Sequence, residues 1–285
     1  MAACVAPDDV DEPNVVVVEQ DIAEPNGISL NGISLNGISL NGTSLSGATV
    51  TGVSLSGTSS SGKAISANTG STAQPLTGTT YVGAKFNATT SNGQTIALRI
   101  DAGAAGTGTS SDLWFYTVSY QSSSTTWSPL CGLDASNAPI KAVSVAGVWA
   151  SSSTDAAKYL TSRSQFTFAC QGKTIGKCVE LGYKTFKGYA NQMAACVRLL
   201  RGDFCGDGQA HTVDGTTLNL YDNVGVQLDT EAWKAEAGWD AAGAVCINTT
   251  NGTRWADAGT CSRPAKTATC GTSFTSGVLL ISELP

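Results

Sequence analysis

The sequence predicts a strand-rich α+β domain stabilised by disulfides, preceded by a short β-solenoid-like repeat segment. Three observations carry that expectation. Short apolar runs bounded by Gly, Ser and Asn outnumber helical patterns, and 32 of the 285 residues are Gly. Of nine cysteines, all but Cys4 lie between residues 131 and 270. A five-residue period begins at Ile28. Composition of this kind favours short strands and turns over long helices.

Cys131, Cys170, Cys178, Cys196, Cys205, Cys246, Cys261 and Cys270 include no Cys-x-x-Cys pair, and His211 is the chain's one histidine. Zinc sites usually show close Cys or Cys/His pairs. These eight therefore read as disulfide partners in an oxidising compartment, with ordinary buried thiols as the alternative. Eight cysteines allow 105 pairings, and spacing does not choose among them. Only 13% of residues are charged, the net charge is −6, and no Lys/Arg stripe occurs, so no nucleic-acid partner is expected. No apolar run reaches the roughly 18 residues of a membrane helix.

Four segments follow one another. Residues 1–26 open Met1-Ala2-Ala3-Cys4, similar to the end of a bacterial lipoprotein signal, and continue with Asp8, Asp9, Asp11 and Glu12. A lipid on Cys4 accounts for the odd cysteine and gives the expected membrane contact; the acidic stretch suits a solvated tether. An arbitrary N-terminus with a spare thiol is the alternative. Residues 27–62 repeat Ile-Ser-Leu-Asn-Gly and its variants, with Leu30, Leu35, Leu40, Leu45, Val50 and Leu55 in phase. Strand alternation sets these on one face with the residues two positions earlier, and Gly permits a corner. This segment resembles the pentapeptide-repeat family, which implies a right-handed four-sided β-solenoid; a Ser/Gly/Asn linker is the alternative. Residues 63–80 read as a Ser/Thr/Gly-rich linker, and residues 81–285 as the disulfide-rich domain.

Within that domain, strands are expected at residues 95–100, 113–120, 140–149, 165–170, 217–221 and 277–281. Helices are expected at residues 176–181 and 189–200. In the second, Met193, Cys196, Val197 and Leu200 share one face, Arg198 and Arg201 lie off it, and Gly202 ends the helix.

The stretch Ala195-Cys196-Val197-Arg198-Leu199-Leu200-Arg201-Gly202-Asp203-Phe204-Cys205-Gly206-Asp207-Gly208, followed by His211-Thr212 and Asp214-Gly215-Thr216, resembles the ADYC-domain family. The family's Ala-Asp-Tyr-Cys signature reads here Gly202-Asp203-Phe204-Cys205. The stretches around Cys131, Cys170, Cys178 and Cys246 are also similar, and the resemblance extends over about residues 79–285. It implies shared cysteines and export, since such proteins are found mainly among secreted products of myxobacteria, and it implies no activity.

Three chemistries can be drawn from the residues. Cys205 and His211 form the best nucleophile–base candidate, with Asp207 or Asp214 to orient the imidazole, but a disulfide would consume the thiol. Asp203, Asp207, Asp214 and Asp222 lie among Gly-rich turns and offer oxygen ligands for Ca²⁺, although Asp-Gly pairs also mark ordinary turns. Asp229, Glu231, Glu236 and Asp240 could supply paired carboxylates, with Trp233 and Trp239 to stack on a sugar or simply to pack in a core. The expected function is an exported, surface-attached binding or structural module without a cofactor, partnered by itself or by a surface ligand. The alternative is an exported hydrolase with its site in residues 203–222.

Overall fold

The structure is a computed structural model that describes residues 50–67, 76–149, 158–212, 216–275 and 277–285. Cys4, the acidic stretch, the repeats before Val50 and Asp214 lie outside these residues.

The N-terminal half is built from β1 (Val50–Thr58), β2 (Ala64–Ser66), β3 (Lys85–Thr90), β4 (Thr95–Ala105), β5 (Trp114–Gln121), β6 (Trp127–Pro129), β7 (Ala142–Ala146), β8 (Val148–Trp149), β9 (Tyr159–Leu160) and β10 (Gln165–Cys170). Strands β1, β3, β4, β5, β7 and β10 pair antiparallel in chain order, and β10 returns to β1 through Val53↔Phe166 and Ser54↔Gln165. The result is a closed six-stranded meander barrel, with β2 added to β1 and β6 to β5. Closure removes the free sheet edges that would otherwise invite aggregation.

Alternation explains the barrel core. Phe86, Ala88, Leu98, Ile100, Tyr116, Val118, Phe166 and Phe168 point inward and are buried. Strand β3 had no expected counterpart, yet it follows the same rule, with exposed Lys85 and Asn87 between buried Phe86 and Ala88. Short, Thr-rich strands carry this signal weakly. On β5, β7 and β10 the outward face is buried too: Phe115, Val143, Val145 and Ala169 join a second core.

The described end of the repeat segment is a barrel strand, not a solenoid corner. Its register against β3 shifts between Val50 and Gly52 and again between Val53 and Gly57, so irregularities recur with the five-residue period. Such bulges bend a strand and help a sheet to close. The expected linker is also partly structured. Ala67 and Leu76 are buried in the barrel core, and the Leu76 N–H donates to Ser144 Oγ at 2.6 Å. Barrel closure recruits these residues because a small barrel needs apolar filling at its ends.

The second half contains α1 (Thr174–Glu180), α2 (Ala190–Arg201), β11 (Asn219–Asp222), β12 (Lys234–Asp240), β13 (Gly243–Asn248), β14 (Ala265–Thr267) and β15 (Leu280–Leu284). Its five strands form one sheet in the order β11-β15-β12-β13-β14. Helix α2 packs on β12, β13 and β15, and α1 packs on α2 and β10. The helices are thus a layer between barrel and sheet. Burial along α2 runs from Gln192 through Arg201, so Arg198 and Arg201, expected off the apolar stripe, are 2% exposed.

Four disulfides are formed: Cys131–Cys170, Cys178–Cys196, Cys205–Cys261 and Cys246–Cys270. They fasten, in turn, the β6 end to β10, α1 to α2, the loop after α2 to the loop before β14, and β13 to the segment after β14. The barrel meets the helical layer through the second core and through Lys184, which is buried and donates to Thr109 O at 2.9 Å and Asp112 Oδ1 at 2.5 Å. Burial works against ionisation of Asp112, but Lys184 and Lys187 outweigh it and hold the carboxyl below its usual range.

Replacing Cys131 and Cys170 together by Ala is expected to lower stability by about 2–4 kcal/mol, because a loop of 39 residues is released in the unfolded chain. Urea denaturation followed by circular dichroism measures this; an unchanged midpoint would show that the bond does not constrain the barrel.

Candidate functional site

Of the residues singled out by sequence, Asp203, Cys205, Asp207 and His211 lie in the stretch that follows the C-terminus of α2. Gly202 takes a left-handed conformation with φ 64°. Its N–H donates to Leu199 O at 2.9 Å, and the Asp203 N–H donates to Arg198 O at 3.0 Å. This is the pair of bonds that closes a helix on a glycine. A side chain at Gly202 would also strike Thr212 Oγ1 at 2.7 Å, because residues 211 and 212 fold back onto the Arg201 carbonyl.

Asp203 follows and is fully buried. It pairs with Arg198 and accepts the Gly208 N–H at 2.9 Å, while Arg201 donates to Gly208 O. Burial lifts the Asp203 carboxyl above its usual range, with the Arg198 guanidinium opposing. Burial also brings Arg201 down to about 10, still protonated at neutral pH. Phe204 is fully buried against Trp239 at 4.9 Å and Trp255 at 6.0 Å between ring centroids. Cys205 is bonded to Cys261.

The Cys205–His211 pair is therefore not a nucleophile and base, since Cys205 has no thiol to activate. His211 stacks flat on Trp255, with centroids 3.5 Å apart and planes 8° apart. Burial lowers its pKa, against the pull of Asp207 and Asp203.

Of the candidate cation ligands, the three described ones, Asp203, Asp207 and Asp222, each accept hydrogen bonds from protein groups. Asp203 is engaged as described. Asp207 accepts the Gln209 N–H at 2.9 Å. Asp222 accepts backbone N–H groups from Val224, Val226 and Gln227 and the Tyr183 hydroxyl at 2.9 Å, which makes it an internal turn anchor. Burial and this carboxylate push the Tyr183 phenol up. No group of three or more His, Cys, Asp or Glu side chains able to hold a metal occurs among the described residues.

The carboxylates weighed for glycoside chemistry are also dispersed. Glu231 is exposed, and Asp240 pairs with Arg263. Asp229 accepts Asn219 Nδ2 at 2.9 Å, and the same nitrogen donates to Glu283 Oε2 at 2.9 Å. Burial raises the Glu283 pKa. Trp233 is half-buried, whereas Trp239 is fully buried and donates its indole N–H to Ser282 Oγ at 2.8 Å.

Glu236 exposes the group that sequence reading missed, Arg254. Arg254 Nε lies 2.9 and 3.1 Å from the two Glu236 oxygens, Nη2 lies 2.5 Å from Oε2, and the Arg254 backbone N–H donates to Oε1 at 2.8 Å. Ser282 Oγ donates to Glu236 Oε2 at 2.7 Å. Arg254 Nη1 donates to Leu199 O at 2.9 Å and Thr212 Oγ1 at 3.1 Å. One guanidinium thus joins α2, the returning loop and β12. Nothing local flags it, because its partners lie 18 to 55 residues away.

Together these features describe a disulfide-locked barrel-and-sheet protein suited to an oxidising, extracellular environment, with the stretch Gly202-Asp203-Phe204-Cys205 at an interior junction. No helix among the described residues is long and apolar enough to cross a membrane. The family model of the ADYC domain matches residues 78–253, and the chain belongs to the ADYC-domain family. No curated protein matches the chain. No solved structure matches it either.

Arg254→Ala is expected to cost about 3–5 kcal/mol, because it strands the Glu236 charge in the interior. Arg254→Met combined with Glu236→Leu should recover part of that loss. Equilibrium unfolding of the three proteins decides this, and a double variant as weak as the single would refute the buried-charge account. His211 supplies a pH test. Its folded pKa lies below the unfolded value of about 6.5, so the unfolded chain takes up the proton first and stability falls as pH drops through that value toward the folded pKa. His211→Gln should lose less stability than the native protein between about pH 7 and pH 5; parallel curves would show that His211 is not held neutral by burial.

Proposed function

We propose that this protein is a non-enzymatic, exported binding or structural module, tethered at the cell surface by a lipid on Cys4. One observation carries the reading: each residue of the signature Gly202-Asp203-Phe204-Cys205 has a folding role. Gly202 closes α2, Asp203 neutralises Arg198, Phe204 fills the core and Cys205 is cross-linked to Cys261. A signature used in this way supports a shared scaffold, with recognition carried by surface that differs between members. The alternative is an exported hydrolase acting through residues 203–222; against it, Cys205 is cross-linked to Cys261 and Asp203 is buried and paired with Arg198.

The test takes the oxidised full chain and its His211→Gln variant through chromogenic ester, glycoside and peptide substrates, and through thiol labelling without reductant. No turnover above buffer and no label on Cys205 are expected. Turnover that His211→Gln abolishes, while circular dichroism and the disulfide count stay native, would establish the hydrolase instead.

A further inference from the structure

Strand β1 occupies a slot whose demands can be read position by position. A Cβ at Gly52 would meet the Gln165 side chain at 2.9 Å and Val148 at 3.0 Å. Val53 is fully buried between Phe166 of β10 and Ala88 of β3. Ser54 stands opposite Gln165. Leu55 packs on the barrel core and donates its N–H to Ser164 O at 2.9 Å. Ser56 is exposed and stands opposite Ser66. Gly57 admits no side chain, because a Cβ would lie 2.4 Å from the Lys85 carbonyl oxygen, and backbone does not yield as a side-chain tip would. Along the slot β1 thus reads Gly, a fully buried β-branched apolar residue, a half-buried Ser, a half-buried Leu, an exposed small polar residue and a Gly that admits no side chain.

That string stands three more times upstream, at residues 27–32, 32–37 and 37–42, with Ile where β1 has Val53 and Asn where it has exposed Ser56. The third copy continues Thr43-Ser44, as β1 continues Thr58-Ser59. The two intervening strings fit less well, since they set Thr43 or Ala48 at the buried position.

Nothing covalent holds β1 in place. The four disulfides join residues from Cys131 onward, and Cys131–Cys170 ties β10 to the end of β6 whether or not β1 is seated. The chain also has length to serve a neighbour: the seven residues 43–49 between the third string and β1, if extended, span roughly 23 Å. A copy can keep its own barrel closed by β1 and still offer matching strings to another, and the β1 displaced there can serve the next. The exchanged strand buries the same kinds of side chain and makes the same pairings, which is the condition under which identical elements swap between protomers at low cost.

We propose that the barrel-closing strand is interchangeable, and that an upstream repeat of a second copy of this chain takes the place of β1, so that copies associate by strand exchange. The test uses two full-length chains, both carrying Cys4→Ser. One carries Ser39→Cys, equivalent in phase to Ser54, and the other carries Gln165→Cys. Mixed under mild oxidation, they should form a disulfide-linked heterodimer whose fraction rises with concentration. Ile38→Asp in the donor should reduce the yield on the order of tenfold or more, because the charge would be buried in the slot. Asn41→Cys, in phase with Ser56 and so out of register with Gln165, should not cross-link. As a check on the seam, Ser54→Cys with Gln165→Cys in one chain should close within that chain. The proposal is overturned if that seam bond forms and the mixed chains give no heterodimer. It is also overturned if Asn41→Cys cross-links as well as Ser39→Cys, or if a chain carrying both Ser39→Cys and Gln165→Cys closes only on itself.

Discussion

Helix α2 has no face left for water, and that constraint organises the protein around it. A helix buried from Gln192 to Arg201 must satisfy its charges and its terminal carbonyls inside the molecule. Arg198 finds Asp203, Arg201 finds the Gly208 carbonyl, and the Leu199 carbonyl finds Arg254. Arg254 is itself neutralised by Glu236, and Glu236 is completed by Ser282. The chain of partners runs from helix to loop to sheet. Removing one member leaves another stranded, which is why such a network specifies a structure more than it adds net stability.

The disulfides divide the labour differently. Cys131–Cys170 lies in the barrel, Cys178–Cys196 in the helical layer and Cys246–Cys270 in the sheet, while Cys205–Cys261 joins the loop after the helix to the sheet side. None joins the barrel to the sheet. Barrel and helices are instead held by apolar packing and by the buried Lys184 with Asp112 and Thr109. Covalent bonds therefore limit the unfolded states of each layer, and the non-covalent core sets how the layers meet.

The family signature belongs to this junction. Its aspartate, aromatic residue and cysteine are polar, large and reactive types that invite a catalytic reading when seen as letters. In place, each is consumed by a neighbour, and His211, the remaining base, lies flat against Trp255. The loop that carries them closes a helix.

Much of the secondary structure was legible from local pattern. Residues 165–170 were expected as a strand and form β10; the helix expected at 189–200 is α2, closed by Gly202 as expected; and the strand expected at 140–149 is β7 and β8, broken at Gly147. These features depend on neighbours two to four residues apart, so the sequence by itself determined them, along with the disulfide-rich character and the five-residue phase. Strands β3, β12 and β13 were not read, because short Thr-, Ala- and Gly-rich runs alternate too weakly. The pairing of the cysteines, the closure of β1 on β10, the burial of Arg198 and Arg201 and the role of Arg254 were decided only by the tertiary structure. Each requires residues distant in the chain to meet, such as Val53 with Phe166 or Arg254 with Leu199. Local propensity carries no information about such meetings, since their free energy arises from excluding water between surfaces that the fold has first to bring together.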